Sequence, residues 1–223
     1  MQRIDLFSIP VWRQRLPEFE PHAARVTDWV RRRWAAGDFK RHEHGYGYQT
    51  PSTLFDPESL AALPELAILK RAFGDTVLEI LRQRVNHSVH LLPEIYAYMA
   101  WVLVQTSEDW VSGTWHDHAP ALISACYYLQ VPENLTGNEG ALAFQRPAPA
   151  DALVPQIEYV KPATGDFILF PSALTHRPQP CPQAAGLRIT LAMDAYVHWR
   201  HWAEEGKLRI HPERYKRLLL DSL

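Results

Sequence analysis

The chain has 223 residues, of which 47% are hydrophobic and 22% are charged, with a formal net charge of −2. This length suits one substantial domain with a buried core, and the composition is that of an ordinary globular chain. There is no basic field for nucleic acid, no apolar run long enough to cross a bilayer, and no apolar segment of signal-peptide length at the N-terminus. We therefore expect no nucleic-acid or membrane partner. Two cysteines make no disulfide framework, so we expect a cytoplasmic protein.

The N-terminal part, residues 1–93, is predicted to contribute one strand and a helical annex. Residues 4–12 indicate a short edge strand, because Pro10 cannot donate a ladder hydrogen bond. A first helix should follow Pro21, with apolar residues on one face and an arginine-rich face outside. A second should begin at Asp56, a preferred cap followed by proline, and a longer packing helix at about Pro64.

Between these helices, residues 41–51 are polar, rich in aromatic side chains and interrupted by glycine. We interpret this segment as a loop that covers a pocket, since glycine permits conformations that a regular strand does not use. This segment has its own His-X-His pair, His42 and His44, which could in principle bind a metal. A structural or lid role is favoured over metal binding, because no suitable third ligand accompanies the two histidines.

From Glu94 the pattern changes from helical periodicity to extended segments separated by turns. The predicted strands cover residues 95–105, 122–131, 141–145, 156–160, 166–170 and 187–197. Strands at this spacing without intervening helices favour an antiparallel sandwich or barrel. We therefore predict a single domain, 1–223, with a β core over 94–198 and closing helical turns over 199–223.

The strongest candidate site is His116-Asp117-His118. Imidazoles at positions i and i+2 of an extended chain point to the same side, so both can bind one cation while Asp117 faces away. His176 follows a predicted strand and can return over the same pocket. Three imidazoles leave coordination positions open, as catalysis requires, whereas a structural zinc site is closed by four ligands. Imidazole suits iron, copper, nickel and zinc alike, so the ligands alone do not name the metal.

A second signal is Arg188-Ile189-Thr190. On a strand, Arg188 and Thr190 point to one face, where a guanidinium and a hydroxyl can bind one carboxylate together. The alternative is an internal salt bridge with an acidic side chain of the protein, because a buried arginine needs a counter-anion in either case.

These motifs resemble those of the 2-oxoglutarate/Fe(II)-dependent dioxygenases, and within them a bacterial group of 2-oxoglutarate-Fe(II) oxygenases. The resemblance covers most of the chain. It is carried by residues 6–11, 45–50, 116–118, 123–129, Pro132, 162–172, His176 and 188–190.

The resemblance implies a mainly β fold with flanking helices and a double-stranded β-helix core, a jelly roll of the cupin kind. The implied catalytic and metal-binding residues, for Fe(II), are His116, His118 and His176. It further implies that Arg188 binds the distal carboxylate of the cosubstrate 2-oxoglutarate, with help from Thr190.

Tyr128 resembles a tyrosine that prolyl-hydroxylase-like members place on the same carboxylate. Alternation from His118 leaves open whether Tyr127 or Tyr128 faces inward, because Pro120 interrupts the strand.

His118 is a departure from the wider superfamily, where most members have a carboxylate at this second position. Three neutral imidazoles leave more positive charge on the metal than a set with one carboxylate. Asp117 could replace a histidine only if the chain is bulged there. We expect it instead to orient a ligand imidazole or to meet solvent.

The resemblance implies oxidation of a C–H bond by O2, by default hydroxylation of a small molecule or peptide side chain, with 2-oxoglutarate converted to succinate and CO2. The candidate substrate contacts are Trp101, Gln105, Trp110, Trp115, Tyr46 and Tyr48. Two alternatives stay open: a three-histidine cupin-type dioxygenase that uses no 2-oxoglutarate, and a metal-binding β-barrel protein without catalysis. An exposed edge strand is compatible with a homodimer.

Overall fold

The structure is a computed structural model that describes residues 9–42, 46–84, 92–109, 113–147 and 156–200. The helices are α1 (Glu20–Ala35), α2 (Pro57–Ala62) and α3 (Glu65–Arg84). The strands are β1 (Trp12–Gln14), β2 (Lys40–Arg41), β3 (Tyr48–Gln49), β4 (Leu92–Gln105), β5 (Ile123–Gln130), β6 (Leu142–Gln145), β7 (Ile157–Val160), β8 (Phe167–Pro171), β9 (His176–Pro178) and β10 (Arg188–Arg200).

The strands form two antiparallel sheets. The larger sheet has seven strands in the order β1-β8-β5-β10-β4-β3-β2, and the smaller has three in the order β7-β6-β9. Side chains of both sheets meet in one hydrophobic cluster, to which β6 contributes Leu142 and Phe144 and β8 contributes Ile168 and Phe170. The predicted β core is therefore present, with the smaller sheet packed against one side of the larger one.

The helices cover the other side of the larger sheet. α1 has a proline in its first turn and buries Val26 and Val30, while α3 buries Phe73 among others on its apolar face. Phe73 meets Phe167 of β8 edge-on, with ring centroids 6.2 Å apart. Each such fully buried side chain stabilises the fold by about 1.5–3 kcal/mol relative to exposure. The helices thus pack on the face of the larger sheet that is opposite the smaller sheet.

β10 is the central strand of the larger sheet, and its side chains alternate between the two faces. Arg188, Thr190 and Asp194 lie on the face that looks toward the smaller sheet. The opposite face belongs to the helix-side core and carries Ile189, Leu191, Met193 and Ala195. The polar residues of this strand consequently meet in the space between the sheets.

Two predicted segments at the N-terminal side need correction. Residues 9–11 of the predicted first strand are not in a strand; β1 begins at Trp12, beyond Pro10, and pairs with β8 at the edge of the larger sheet. Residues 1–8 lie outside the described part of the chain. The predicted loop 41–51 has strands at its ends, because Tyr48 and Gln49 pair with Val104 and Leu103 of β4.

Three further corrections concern the site-bearing segments. His116 forms an isolated bridge with His176, and His118 lies in irregular backbone. Neither His116 nor His118 belongs to a strand. β9 was not predicted, because three residues ending in proline carry no strand pattern by themselves. β10 continues through Arg200, where we predicted helical turns; residues 201–223 lie outside the described ranges.

No helix among the described residues has the length and apolar character needed to span a bilayer.

Phe73→Ala is expected to lower the free energy of unfolding by about 3–5 kcal/mol, because it leaves a cavity between α3 and the sheet. Urea denaturation followed by circular dichroism measures this change. Arg71→Ala, an exposed position on the same helix, should stay within about 0.5 kcal/mol of the wild type. Equal effects of the two substitutions would contradict the described packing of α3.

Candidate functional site

Three histidines converge at one end of the space between the sheets. One ligand nitrogen from each of His116, His118 and His176 lies within 4.8 Å of the others, and the ring centroids are 4.6–5.1 Å apart. The backbone brings them together: the His116 N–H donates to the His176 carbonyl at 3.1 Å, and the His176 N–H donates back at 2.9 Å. Among the described residues this is the one group of three ligand-type side chains close enough to hold a metal ion.

Hydrogen bonds fix which nitrogen of each imidazole faces the centre. Nδ1 of His116 lies 2.8 Å from the Thr114 carbonyl, and Nδ1 of His176 lies 2.9 Å from the Leu174 carbonyl. A carbonyl oxygen only accepts, so each Nδ1 must carry the proton and donate it. The Nε2 atoms are therefore unprotonated and present their lone pairs to one point, which is the state that a metal ion requires.

Burial keeps the imidazoles of His116 and His176 neutral. It lowers the pKa of His176 to about 3, with a further contribution from the neighbouring His116 and His118. Burial also lowers the pKa of His116, against the opposing effect of its bond to the Thr114 carbonyl. Because neutral imidazole is the ligand form, these rings are ready to coordinate at neutral pH.

His118 differs from the other two because its Nδ1 faces a carboxylate. Nδ1 lies 2.9 Å from Oδ1 and 2.8 Å from Oδ2 of Asp194 on β10. The Ser124 hydroxyl donates to Oδ1 of Asp194 at 2.6 Å, and it lies 2.9 Å from the hydroxyl of Ser172. The Ser172 carbonyl in turn accepts the His118 N–H at 2.9 Å. This buried network holds both the ring and the backbone of His118.

A second polar group lies on the same cavity. Arg188 is 1% exposed, and its Nη1 donates to Oε1 of Gln105, its cross-strand neighbour, at 2.6 Å. Its Nε and the Oγ1 of Thr190 are buried without a hydrogen-bond partner among the described residues. No described carboxylate forms an ion pair with Arg188, so the internal salt-bridge alternative finds no support. A buried cation with unused donors beside an unused hydroxyl fits an incoming carboxylate.

Tyr128 faces this pocket and Tyr127 does not. Tyr128 is paired with Thr190 across the strands, and the Arg188 guanidinium lies 5.1 Å from the centre of its ring. Tyr127 lies on the helix side, edge-on to Phe19 at 4.9 Å. Burial raises the pKa of Tyr128 well above its usual value, so its phenol stays protonated. The choice that alternation from His118 left open is decided by the strand register.

The cavity that joins the two groups has a volume of about 540 Å³, part of it open to solvent. Two aromatic rings flank the histidines: Trp101 stacks on His118 with centroids 5.5 Å apart, and Tyr46 lies parallel to His116 at 6.5 Å. The other lining residues are mainly apolar and include Leu103, Leu142, Phe170 and Ala192. Ligand sites commonly have this character, an apolar wall with a few placed polar groups.

Of the predicted substrate contacts, Trp101 and Tyr46 line the cavity, and three others do not. Gln105 is fully buried and holds Arg188. Tyr48 packs edge-on against Trp34 at 4.9 Å, and Trp115 carries the Arg177 guanidinium 4.3 Å above its ring. Trp110 lies outside the described residues.

Asp117 takes no part in the site. It is exposed, and its Oδ1 accepts the backbone N–H of Ala119 at 3.0 Å. The carboxylate that meets an imidazole of the cluster is Asp194, which the sequence does not single out. Its position six residues beyond Arg188 was the available signal, because even spacing on a strand places both on one face.

The fold and the site together define a candidate metal-dependent enzyme, and a family comparison specifies its class. Residues 99–194 match the model of a family described as "Putative 2OG-Fe(II) oxygenase". This segment contains the three histidines, Arg188 and Asp194. The match confirms the predicted family, the oxidoreductase class, and iron(II) and 2-oxoglutarate as its metal and cosubstrate. No curated protein matches the chain.

Solved structures show the same fold. A prolyl-4-hydroxylase from Pseudomonas putida is 18% identical with a TM-score of 0.54, covering 85% of this chain and 93% of that one. A Trichoplax adhaerens prolyl hydroxylase in complex with a hypoxia-inducible-factor peptide is 14% identical with a TM-score of 0.53, covering 82% and 83%. HygX from Streptomyces hygroscopicus, with nickel and 2-oxoglutarate bound, is 15% identical with a TM-score of 0.54, covering 84% and 83%. The likeness confirms the predicted double-stranded β-helix core.

Ser124→Ala is expected to lower the free energy of unfolding of the metal-free protein by about 1.5–3 kcal/mol, because it removes a hydrogen bond to the buried Asp194 carboxylate. Chemical denaturation in the presence of a chelator measures this. Ser107→Ala, at an exposed position, should change it by less than about 0.5 kcal/mol. An unchanged stability for Ser124→Ala would mean that this hydrogen bond is not formed.

Proposed function

We propose that this protein is a dioxygenase in which His116, His118 and His176 hold Fe(II). The observation that carries the proposal is the convergence of three imidazoles, of which His116 and His176 have an unprotonated Nε2, on the cavity that also contains the unpaired donors of Arg188. Three protein ligands leave coordination positions for a cosubstrate and O2. Their chemistry fits iron, since imidazole is among its preferred ligands.

We propose that Arg188 and Thr190 bind the distal carboxylate of 2-oxoglutarate. The unpaired Nε of Arg188 and Oγ1 of Thr190 support this role, and the protonated phenol of Tyr128 adds a donor on the same strand pair. Gln105 orients the guanidinium through Nη1, which leaves the other donors for the cosubstrate. A charge-assisted contact of this kind also fixes the direction in which the keto acid enters.

When bound, iron and 2-oxoglutarate would supply oxidation of a C–H bond by O2, with release of succinate and CO2. The chain's own part is positioning and exclusion of water. The Nδ1 hydrogen bonds to backbone carbonyls hold His116 and His176 in the tautomer with a free Nε2, so no proton has to leave these two rings on metal binding. The apolar wall, with Phe170 against His176 at 4.6 Å, shields the centre from bulk water.

We propose hydroxylation of a small molecule or a peptide side chain as the reaction, with Trp101 and Tyr46 as substrate contacts. Both rings stack on a histidine of the cluster and line the cavity. Apart from Arg188, the lining carries no arginine, lysine, aspartate or glutamate among the described residues. This favours a substrate whose reacting part is uncharged and apolar.

The proposal is tested by loading the protein with Fe(II) without oxygen and adding 2-oxoglutarate. A visible metal-to-ligand charge-transfer band is expected, followed by succinate formation when O2 is admitted, with or without substrates from a broad panel. His176→Ala should lose bound iron, the band and succinate together. His198→Ala removes an imidazole outside the site, hydrogen-bonded to Glu94, and should retain all three.

Iron binding without the band and without succinate across the panel would overturn the 2-oxoglutarate assignment. Oxygen consumption with an organic substrate alone would then indicate the three-histidine dioxygenase that needs no cosubstrate. Iron binding without any turnover would indicate the binding protein.

Arg188→Ala is expected to raise the 2-oxoglutarate concentration for half-maximal activity about tenfold to a hundredfold, because a hydrogen-bonded charge contributes about 1.5–3 kcal/mol. Iron content should not change. Succinate assays over a range of 2-oxoglutarate concentrations, with metal analysis, measure both. Arg146→Ala, an exposed arginine, is the matched control. Parallel loss of iron and 2-oxoglutarate binding would instead identify Arg188 as a structural residue.

A further inference from the structure

Asp194 is a buried carboxylate whose charge the described protein leaves uncompensated. It is 3% exposed and accepts hydrogen bonds from the Ser124 hydroxyl and from Nδ1 of His118. No described lysine or arginine forms an ion pair with it, and its one ion-pair contact within the described part of the chain is the His118 ring. A buried charge of this kind is costly unless an opposite charge lies nearby.

The ring of His118 places that opposite charge. Nδ1 faces Asp194, and Nε2, on the other side of the same ring, faces the point where the three ligand atoms converge. A cation there would be separated from the carboxylate by one imidazole. Nδ1 of each of the other two histidines donates to a backbone carbonyl, which carries no net charge. Of the three imidazoles, only that of His118 is therefore bonded to a negatively charged group.

We infer that Asp194 is a positioning residue that acts through His118 and gives the three-histidine centre the negative charge that its neutral ligands lack. The inference rests on the proposed metal site and adds an asymmetry to it. A carboxylate on Nδ1 makes the imidazole a stronger donor and holds its ring orientation. His118 is thereby the most electron-rich ligand, and the oxidised form of the metal gains more from it than the reduced form.

Asp194→Asn tests this charge with little change in shape. The metal-free variant is titrated with Fe(II) in the absence of oxygen, in competition with a coloured chelator. Affinity is expected to fall about 10- to 100-fold, as for loss of such outer partners elsewhere. The Fe(III)/Fe(II) potential should become more positive. Asp117→Asn removes an exposed carboxylate between His116 and His118. It should leave the iron affinity within about twofold of the wild type and the potential unshifted.

The same substitution in a His118→Asp variant shows whether Asp194 acts through the His118 ring or only supports the structure. His118→Asp puts a carboxylate directly at the ligand position, so the charge of Asp194 is then superfluous and close to another acid. In that background Asp194→Asn should leave the iron affinity unchanged or increase it. A structural role would lower affinity by the same factor in both backgrounds, and that result would overturn the inference.

Folding of the variants is checked by circular dichroism before titration. If Asp194→Asn alone does not fold, the double variant His118→Asp/Asp194→Asn is still expected to fold and bind iron. Failure of both to fold would make Asp194 structural and overturn the inference. The proposed function itself would be refuted if the wild-type protein bound no iron, or if its iron binding did not depend on His176. Iron binding that His176→Ala abolishes but Asp194→Asn leaves intact would refute only the role of Asp194.

Discussion

The site depends on the two-residue alternation of β10 at the centre of the larger sheet. Because β10 pairs with β5 on one side and β4 on the other, its cavity-facing residues meet a partner from each neighbour at a fixed level. Arg188 meets Gln105, Thr190 meets Tyr128, and Asp194 meets Ser124. A slip of one residue would move all of these polar groups into the hydrophobic contact with the helices, so one register sets both core and site.

Buried polar groups in the cavity divide into those the protein satisfies and those it leaves unused. Asp194 is held by Ser124 and His118, while Arg188 has only part of its hydrogen-bonding capacity used by Gln105. Folding must overcome the cost of the unused donors. A ligand that supplies the missing acceptor would recover this cost on binding, and this is the physical basis of the specificity for a carboxylate that we propose.

The all-histidine ligand set and the Asp194 partner belong to one electrostatic arrangement. Neutral imidazoles from His116 and His176, bonded to backbone carbonyls, place little charge at the centre. In the proposed metal site, the carboxylate behind His118 would keep a negative charge near the metal without using a coordination position. The helices α1 and α3 support this arrangement from the far face of the sheet, where tight packing fixes the strand positions.

Local patterns in the sequence determined the helices, most strands, the three histidines and the shared face of Arg188 and Thr190, because these follow from periodicity and residue chemistry within short segments. The tertiary structure decided what depends on partners distant in the chain. Strand register, not alternation from His118, turned Tyr128 inward. Three residues became β9 only because β6 lay beside them, and Asp194 met His118 across 76 positions. No local window contains such pairs, so only the packed chain specifies them.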